Sequence, residues 1–349
     1  MVLLLVFAAL LLVMVWGLSV GAVEVPFLHA WTALLAHLGL PVASPATASE
    51  ARIVLGLRLP RVLLAAWAGA ALALAGLVLQ GALRTRLAEP VTTGTAAGAL
   101  LGSALTLFLV GQADGRLLDV RPGLGLLVVR MTMAAVFAFL ASALVVSLVR
   151  SGPRILAGPL LLGGLGVNAV VGAAAAILLF VGSVGAQTAA TVVIAWTFGG
   201  LLAMAAAPAP ALMFGALLVA LVASVPLVRP LDLMLLGEEE AAAGGVAVGR
   251  VRWSAVGLAS FLTGAAVATV GVIAFVGLLA PRLVAVVGPS HARRMPVAMG
   301  AGAFLLVAAD ALGRTIADAG ELPAGVVMAL VGAPVLLLFL HGDLREASS

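Results

Sequence analysis

Three arginines stand at positions where a guanidinium group could bind an anion beside a membrane. Arg58 and Arg61 flank Pro60 at the start of a long apolar run, and Arg314 follows Asp310 by four residues near the end of another. On a helix, this spacing puts Arg58 and Arg61 on one face. Because arginine makes bidentate, directional contacts with carboxylates, the pattern predicts a positive rim that binds an acidic group on a soluble partner. The simpler interpretation is that the first two side chains snorkel toward lipid headgroups.

Other polar groups in the apolar runs are few and indicate no bond-making chemistry. Gln80 and Asn168 carry amides, which can form interhelical hydrogen bonds or line a pathway. Glu321 and Pro323 suit the N-terminus of the last apolar run, where an acid and a proline are favourable. We expect no metal site, because the histidines are scattered in loops or at the ends of runs. They are His29, His37, His291 and His341.

The chain contains neither cysteine nor lysine. The absence of cysteine excludes disulfides, thiolate metal sites and a cysteine nucleophile. The absence of lysine excludes a Schiff base and the lysine of a Walker A motif. The chain therefore cannot itself be a P-loop ATPase. An intramembrane enzyme would need a nucleophile with a base, or a metal site such as HExxH, inside the bundle, and the sequence shows neither. We therefore expect no catalytic residue.

The composition is that of a membrane protein. Of the 349 residues, 64% are hydrophobic and 9% are charged, and the mean hydropathy is +1.29. Soluble domains are about half apolar and about a quarter charged. Apolar runs of about 20 residues recur without the alternating pattern of a β-barrel. Since only helices then satisfy the backbone in lipid, we predict an all-α integral membrane protein.

Apolar runs at ten places predict a polytopic bundle of about ten transmembrane helices. The segment 191–204, "TVVIAWTFGGLLAM", is short and interrupted by glycine, so we predict a partial helix there rather than an eleventh span. The ten predicted spans lie at 2–23, 61–83, 91–111, 124–149, 155–182, 209–228, 254–271, 272–288, 296–316 and 323–341.

The distribution of arginine predicts the orientation. An even number of spans puts both termini on one side, and loops on that side hold about eleven arginines against about six opposite. Both termini are therefore predicted to be cytoplasmic, and Arg58, Arg61 and Arg314 external. Arg130, inside the fourth run, is expected to snorkel outward without a function. The basic charge is expected to serve orientation and contact with membrane lipid rather than nucleic acid.

Five stretches carry motifs in a fixed order. They are "RLPRVLLAAWAGAALALAGLVLQGALRTRLAEP" at 58–90, "LLLGGLGVNAV" at 160–170 with "WTFGGL" shortly after it, "LDLMLLGEEEAAAGGVAVG" at 231–249, "GVIAFVGLLAPRLVAVVGPSHARRMP" at 271–296 and "AADALGRTIADAGELPAGVVMALVGAPVLLLFL" at 308–340. Together they resemble the FecCD family, the permease subunits of ABC importers for iron-siderophores, haem and cobalamin.

The resemblance implies a transport role for the whole chain. It implies a single transmembrane permease domain over 1–349, in a bacterial cytoplasmic (inner) membrane, that carries a ferric siderophore or related metal chelate. The implied partners are a pair of cytoplasmic ABC ATPases, an extracytoplasmic substrate-binding protein and a second permease subunit, identical or different. No cofactor is implied in this chain, because ATP and Mg would be bound by the ATPase. Arg58, Arg61 and Arg314 would dock glutamates of the substrate-binding protein.

The loop 229–253 lies on the predicted cytoplasmic side and carries three consecutive acids, Glu238, Glu239 and Glu240. Chemistry alone allows a solvated, charged turn. The resemblance instead implies a pair of short coupling helices with Gly237 at the turn, next to Leu236, that fit a groove on the ATPase. Such helices would transmit movement of the ATPase to the spans as rigid bodies.

The sequence departs from the family's motifs on the predicted cytoplasmic face. Thr85 and Arg86 stand in place of Asn-Pro, Arg282 in place of a histidine, Ser290 in place of an aspartate and Ala292 in place of an arginine. These changes predict an ATPase contact that differs from the common one, and simple divergence is the alternative.

An ion-gradient-driven secondary transporter is the rival class. Such proteins place ionisable groups at the middle of the membrane. No Asp or Glu lies at the centre of a predicted span, and Asp310 and Glu321 lie toward external ends. The sequence therefore favours the importer.

Overall fold

Helices make up nearly all of the described part of the chain in the computed structural model. The structure describes residues 2–21, 23–40, 46–114, 123–151, 154–155, 157–182, 195–201, 208–316 and 321–348. The α-helices are α1 Val2–Ser19, α2 Phe27–His37, α3 Ala48–Ile53, α4 Leu59–Leu83, α5 Thr95–Asp114, α6 Leu124–Val149, α7 Ala157–Gly182, α8 Ala209–Leu236, α9 Glu238–Ala243, α10 Val248–Val270, α11 Val276–Leu283, α12 His291–Ile316 and α13 Ala324–Ser348.

Short irregular elements join some of these helices. A π-helical turn, Val54–Arg58, connects α3 to α4, so that Ala48–Leu83 is one continuous helical segment. Two-residue strands β1 (Arg150–Ser151) and β2 (Arg154–Ile155) pair antiparallel between α6 and α7. A 3-10 turn, Ala285–Val287, follows α11.

The predicted all-helical membrane class is confirmed. Within the described ranges, seven segments are long and apolar enough to cross a membrane, and α5, α11 and α13 contain shorter apolar helices. A helix is thus present at each of the ten predicted positions. The number of helices that cross the bilayer and the side of the termini remain predictions.

The run predicted as a span at 272–288 has a different local structure. Residues 271–274 form neither helix nor strand, and α11 has eight residues, a rise of about 12 Å against a hydrocarbon layer of about 30 Å. The helix before it ends at Gly271, whose φ of +79° favours glycine and which lies against the carbonyl of Trp196.

The partial helix predicted at 191–204 is described over 195–201 alone, as a turn that ends at Gly199; its remainder lies outside the described residues.

Helix α4 lies at the centre of the bundle. The apolar window of its segment is 89% buried, against 22% for α1 and for the α7 span, and α4 packs on α8, α10, α11 and α12. Gly69 faces the backbone of Gly302 in α12, and Gly76 faces the backbone of Gly277 in α11. Because water does not drive helices together in lipid, this close backbone approach is a principal source of their association.

Arg130 contradicts the sequence prediction that it snorkels outward. Its side chain is 1% exposed. The Nε atom donates a hydrogen bond to Oγ of Ser103 at 2.6 Å, and the guanidinium group stacks on the ring of Trp196 at 4.4 Å from the centroid. The hydroxyl group and the aromatic face compensate part of the cost of burying the charge.

Because Gly76 and Gly277 are in close contact, we expect a single methyl group added at Gly76 to clash with α11. In Gly76→Ala, the added Cβ would meet the carbonyl of Gly277, so α4 and α11 must separate. We expect a loss of about 1–3 kcal/mol, the usual cost of overpacking, measured as a lower unfolding temperature in detergent. Gly215→Ala is the control, because open space surrounds that position. Equal unfolding temperatures for the two variants would contradict this packing.

Candidate functional site

Two helices bring the predicted external arginines to one end of the bundle. Arg58 is the last residue of the π-helical turn, and Arg61 lies in the first turn of α4. A π-helical turn has wider hydrogen-bond spacing than an α-helical turn, so it changes the direction of the side chains around it. Asp310 and Arg314 lie one turn apart near the end of α12. All four side chains belong to buried residues.

Arg61 is the centre of an ion-pair network. Its Nε and Nη2 atoms donate to Oδ1 of Asp310 at 3.0 and 2.8 Å, and Nη1 donates to Oε2 of Glu321 at 2.6 Å. Arg314 approaches the other oxygen of Asp310, with Nη2 at 3.1 Å from Oδ2. The Asp310 side chain is only 2% exposed. The network therefore shares one buried carboxylate between two guanidinium groups and ties α4 to α12.

The remaining arginine contacts hold the end of α1. Carbonyl groups in the last turn of a helix lack intrahelical donors. Arg58 Nη1 donates to the carbonyls of Leu18 and Ser19 at 2.8 and 2.6 Å, and Arg314 Nη1 donates to the carbonyl of Val20 at 2.7 Å. The two side chains thus cap α1 from two other helices.

The three predicted arginines converge in space, but not as an open rim. Arg58 and Arg61 are each 6% exposed and Arg314 is 8% exposed. Their recorded partners are carboxylates and carbonyls of the same chain. The prediction that these arginine side chains are exposed is therefore wrong for this conformation. The alternative, in which Arg58 and Arg61 snorkel toward lipid headgroups, does not describe these contacts either. Docking of a partner by these residues remains a prediction.

Glu321 was interpreted from the sequence as a helix cap, and its carboxylate instead pairs with Arg61. The Glu321 side chain is 32% exposed, whereas the Arg61 side chain beneath it is 7% exposed. The two residues are 260 positions apart, so spacing along the chain gives no signal of the pair. The one indication of this pair in the sequence is that both charged residues lie at predicted external ends of spans.

The predicted coupling segment contains one short helix rather than two. Helix α8 continues to Leu236, Gly237 makes the turn, and α9 follows at once. The first expected short helix is therefore the end of α8. Glu238 Oε1 accepts a hydrogen bond from Arg252 Nη2 at 2.6 Å, which ties α9 to α10. Leu236 is 72% exposed, and Glu239 and Glu240 are exposed beside it.

Each of the two predicted amide residues bonds to the backbone of another segment. Gln80 Nε2 donates to the carbonyl of Gly277 at 3.2 Å, and Asn168 Nδ2 donates to the carbonyl of Val91 at 2.6 Å. These contacts join α4 to α11 and α7 to the residues before α5. The first is an interhelical hydrogen bond, one of the two roles that the sequence left open, whereas the second joins a helix to a turn.

Most of the departures from the family motifs meet in one cleft at the predicted cytoplasmic end. The cleft has a volume of about 620 Å³. Ser290 lies next to it, and Ser290 Oγ donates to Oδ2 of Asp232 at 3.1 Å. Asp232 Oδ1 also accepts from the backbone N–H of His291 at 2.8 Å. The basic and polar residues that line the cleft are Gln80, Arg84, Thr85, Arg86, Arg282, His291 and Arg294.

Glu89 is a buried acid that the sequence interpretation missed. It lies in the loop between α4 and α5, and 4% of the residue is exposed. Its carboxylate accepts hydrogen bonds from the backbone N–H groups of Phe275 and Leu278, at the start of α11. Burial raises the pKa of Glu89 to about 7, although these two hydrogen bonds oppose the rise. Glu89 therefore fixes α11 to this loop and changes charge near neutral pH.

Comparison with known proteins gives one family. The model of the FecCD transport family matches residues 9–342. The chain is 34% identical over 299 residues to the hemin transport system permease protein HmuU of Yersinia pestis, with 85% of each protein covered. It is 33% identical over 316 residues to the vitamin B12 import system permease protein BtuC of Vibrio cholerae, with 88% of each covered.

A solved structure has the same fold. It is described as an inward-facing conformation of a metal-chelate type ABC transporter. The TM-score is 0.73 at 26% sequence identity, and the alignment covers 97% of this chain and 98% of the other.

The shared carboxylate of Asp310 predicts a large effect on stability. Asp310→Asn leaves the guanidinium groups of Arg61 and Arg314 buried without their common negative partner. Removal of one partner from a buried ion pair costs about 3–5 kcal/mol, so we expect a clearly lower unfolding temperature in detergent. Glu240→Gln, on the exposed face of α9, serves as the control. An Asp310→Asn protein as stable as the control would refute this role.

The raised pKa of Glu89 predicts a pH dependence of stability. Between the unfolded value of 4.5 and about 7, the folded protein binds the proton more tightly than the unfolded chain does. The stabilisation from the neutral carboxyl is present below pH 4.5 and is lost as the pH rises through about 7. We expect Glu89→Gln, which stays neutral, to gain stability relative to wild type between pH 5 and pH 8. The difference in unfolding temperature between the variant and wild type is measured at both pH values. A difference that is the same at pH 5 and pH 8 would contradict the raised pKa of Glu89.

Proposed function

The chain belongs to the FecCD transport family of ABC importer permeases, and we propose that it carries a ferric siderophore or related metal chelate across the bacterial cytoplasmic membrane. The chain is a transport subunit, and a separate ATPase hydrolyses ATP. The family match over residues 9–342 carries this conclusion. The proposed substrate class is supported by relatives whose names specify hemin and vitamin B12, and by the fold of a metal-chelate type transporter.

The ion-gradient alternative receives less support. Family membership favours the ABC importer, and the buried Asp310 is neutralised by two arginines rather than placed in a pathway. Glu89 is the buried acid that an ion-driven transporter could use as a relay. Its hydrogen bonds to the backbone at the start of α11 give it a structural role instead.

The proposed ATPase contact is α9 with the residues beside it. Leu236, Glu239 and Glu240 form an exposed surface of one apolar and two acidic side chains. Gly237 directly precedes the first residue of α9, and Gly244 directly follows its last residue. In this proposal, a pair of ATPases binds ATP and Mg and pushes on α9 of each permease subunit.

The contacts of α9 with its neighbouring helices would transmit a force from the ATPase to the membrane spans. It is separated from α8 by one residue, and the ion pair between Glu238 and Arg252 joins it to α10. Helices α8 and α10 both pack against the central α4. Movement of α9 would therefore move two spans and the centre of the bundle together, as a rigid-body transition.

The proposed partner at the opposite end is an extracytoplasmic substrate-binding protein. The cluster of Arg58, Arg61 and Arg314 carries three positive charges against the two negative charges of Asp310 and Glu321. The net positive charge of this cluster would attract an acidic side chain of the partner. A second permease subunit, identical or different, would complete the pathway between two copies, with the weakly buried α1 and α7 spans as candidate contacts with lipid or that subunit.

Co-purification with neighbouring gene products tests the proposed partners. We expect the wild-type chain in nanodiscs to retain both the ATPase and the binding protein encoded beside it. Glu239→Arg combined with Glu240→Arg should weaken retention of the ATPase by at least about tenfold, because the acidic surface is reversed. Retention of the binding protein should not change.

Glu24→Arg is the matched control, since Glu24 is exposed on the predicted external side. It should leave retention of the ATPase unchanged. If the wild-type chain retains no ATPase, or if the double variant retains as much as the control, the proposed coupling surface is wrong.

A further inference from the structure

The proposed docking site contains an internal competitor for one of its arginines. The Nη1 atom of Arg61 is held by Glu321 at 2.6 Å, and the Arg61 side chain is 7% exposed while that of Glu321 is 32% exposed. Glu321 is therefore the part of the pair that faces solvent. An external carboxylate that binds Arg61 has to take the place of Glu321.

The two carboxylates of the cluster differ in how readily they can exchange. Asp310 has a 2% exposed side chain and contacts both Arg61 and Arg314, so its departure would leave buried charges without a partner. Within the described part of the chain, the ion pair of Glu321 is with Arg61. Because water reaches the Glu321 side of this pair, the pair costs less to break than the fully buried one at Asp310. Glu321 is thus the exchangeable ligand of Arg61, and Asp310 is the permanent one.

Displacement of Glu321 would act on α13. Glu321 lies three residues before Ala324, the first residue of that helix. The next residue, Leu322, donates its backbone N–H to the carbonyl of Gly313 in α12 at 3.1 Å. The backbone of Gly325, in the first turn of α13, lies against the carbonyl of Phe198. The ion pair with Arg61 therefore helps to hold the start of α13 against α12 and against the turn at 195–201.

We propose that Glu321 occupies Arg61 as a placeholder, which an acidic side chain of the substrate-binding protein displaces on docking, releasing the start of α13. The proposal rests on the proposed docking of a binding protein at this end. It adds a physical pathway by which docking of that protein would release the start of α13. One negative charge leaves Arg61 and another arrives, so the charge around Asp310 is conserved during the exchange.

Removal of the placeholder charge gives the first test. Glu321→Gln keeps the size of the side chain but releases the charge-assisted hydrogen bond to Arg61. In nanodiscs, we expect the variant to bind the purified binding protein encoded beside the chain about two- to fivefold more tightly than wild type, the range of a part-exposed ion pair. Glu24→Gln, which removes an exposed acid on the same predicted side, should bind as wild type does.

A distance measurement gives a second test, which follows the position of the start of α13. The chain has no cysteine, so spin labels can be placed at Ser49→Cys in α3 and Val326→Cys in α13 without other substitutions. We expect the distribution of distances between the labels in the Glu321→Gln protein to be shifted or broadened toward that of wild type with the binding protein added. The wild type alone should give a single, narrower distribution.

The outcomes separate this proposal from the docking proposal. If wild type binds the binding protein, but Glu321→Gln changes neither the affinity nor the label distance, the placeholder role is refuted and docking stands. If wild type does not bind it at all, both proposals fail. Weaker binding by Glu321→Gln than by Glu24→Gln would show that Glu321 supports docking and would also overturn the placeholder role.

Discussion

The predicted external half of this structure depends on one buried carboxylate. Asp310 lies between Arg61 of α4 and Arg314 of α12, and these arginines in turn reach Glu321 before α13 and the terminal carbonyls of α1. A negative charge at this position permits several positive charges to be buried together, which would otherwise be prohibitively costly in a low dielectric. Three parts of the chain that are distant in sequence are thereby fixed at one end of the bundle: the end of α1, the start of α4, and the end of α12 with Glu321.

Elsewhere in the bundle, several helices meet through close contacts between their backbones. Gly69 and Gly76 allow α4 to touch α12 and α11 without intervening side chains, and Gln80 and Glu89 add hydrogen bonds from α4 and the following loop to the start of α11. Close packing of this kind favours discrete rigid-body rearrangements over gradual deformation. The permease is therefore a set of closely packed helices that are joined by the ion-pair network around Asp310 and by the contacts of α9.

The sequence predicted the helices well and the charged contacts poorly, for different physical reasons. Lipid requires long apolar helices, so the run at 124–149 coincides with α6. The break before α11 was not predicted, because the positive φ of Phe275 belongs to a residue type that normally avoids it. The inward direction of Arg130 depends on Ser103 and Trp196, which come from other parts of the chain.

The residues of the external cluster were identified, but their pairing was not. Arg61 finds Asp310 across 249 positions, and only the packing of α4 on α12 brings the two together. The acidic segment after Gly237 was recognised from composition, yet the ion pair between Glu238 and Arg252 requires knowledge of how α9 meets α10. Motif order was sufficient for the family, because it does not depend on these contacts.

Transport by the purified assembly tests the central claim most directly. The chain would be reconstituted in liposomes with the ATPase and binding protein encoded beside it, and uptake of a labelled ferric siderophore and of haem would be followed. We expect uptake of at least one of these chelates, and this uptake should require ATP, the ATPase and the binding protein. Uptake driven by a proton or sodium gradient in liposomes that contain this chain alone would contradict it.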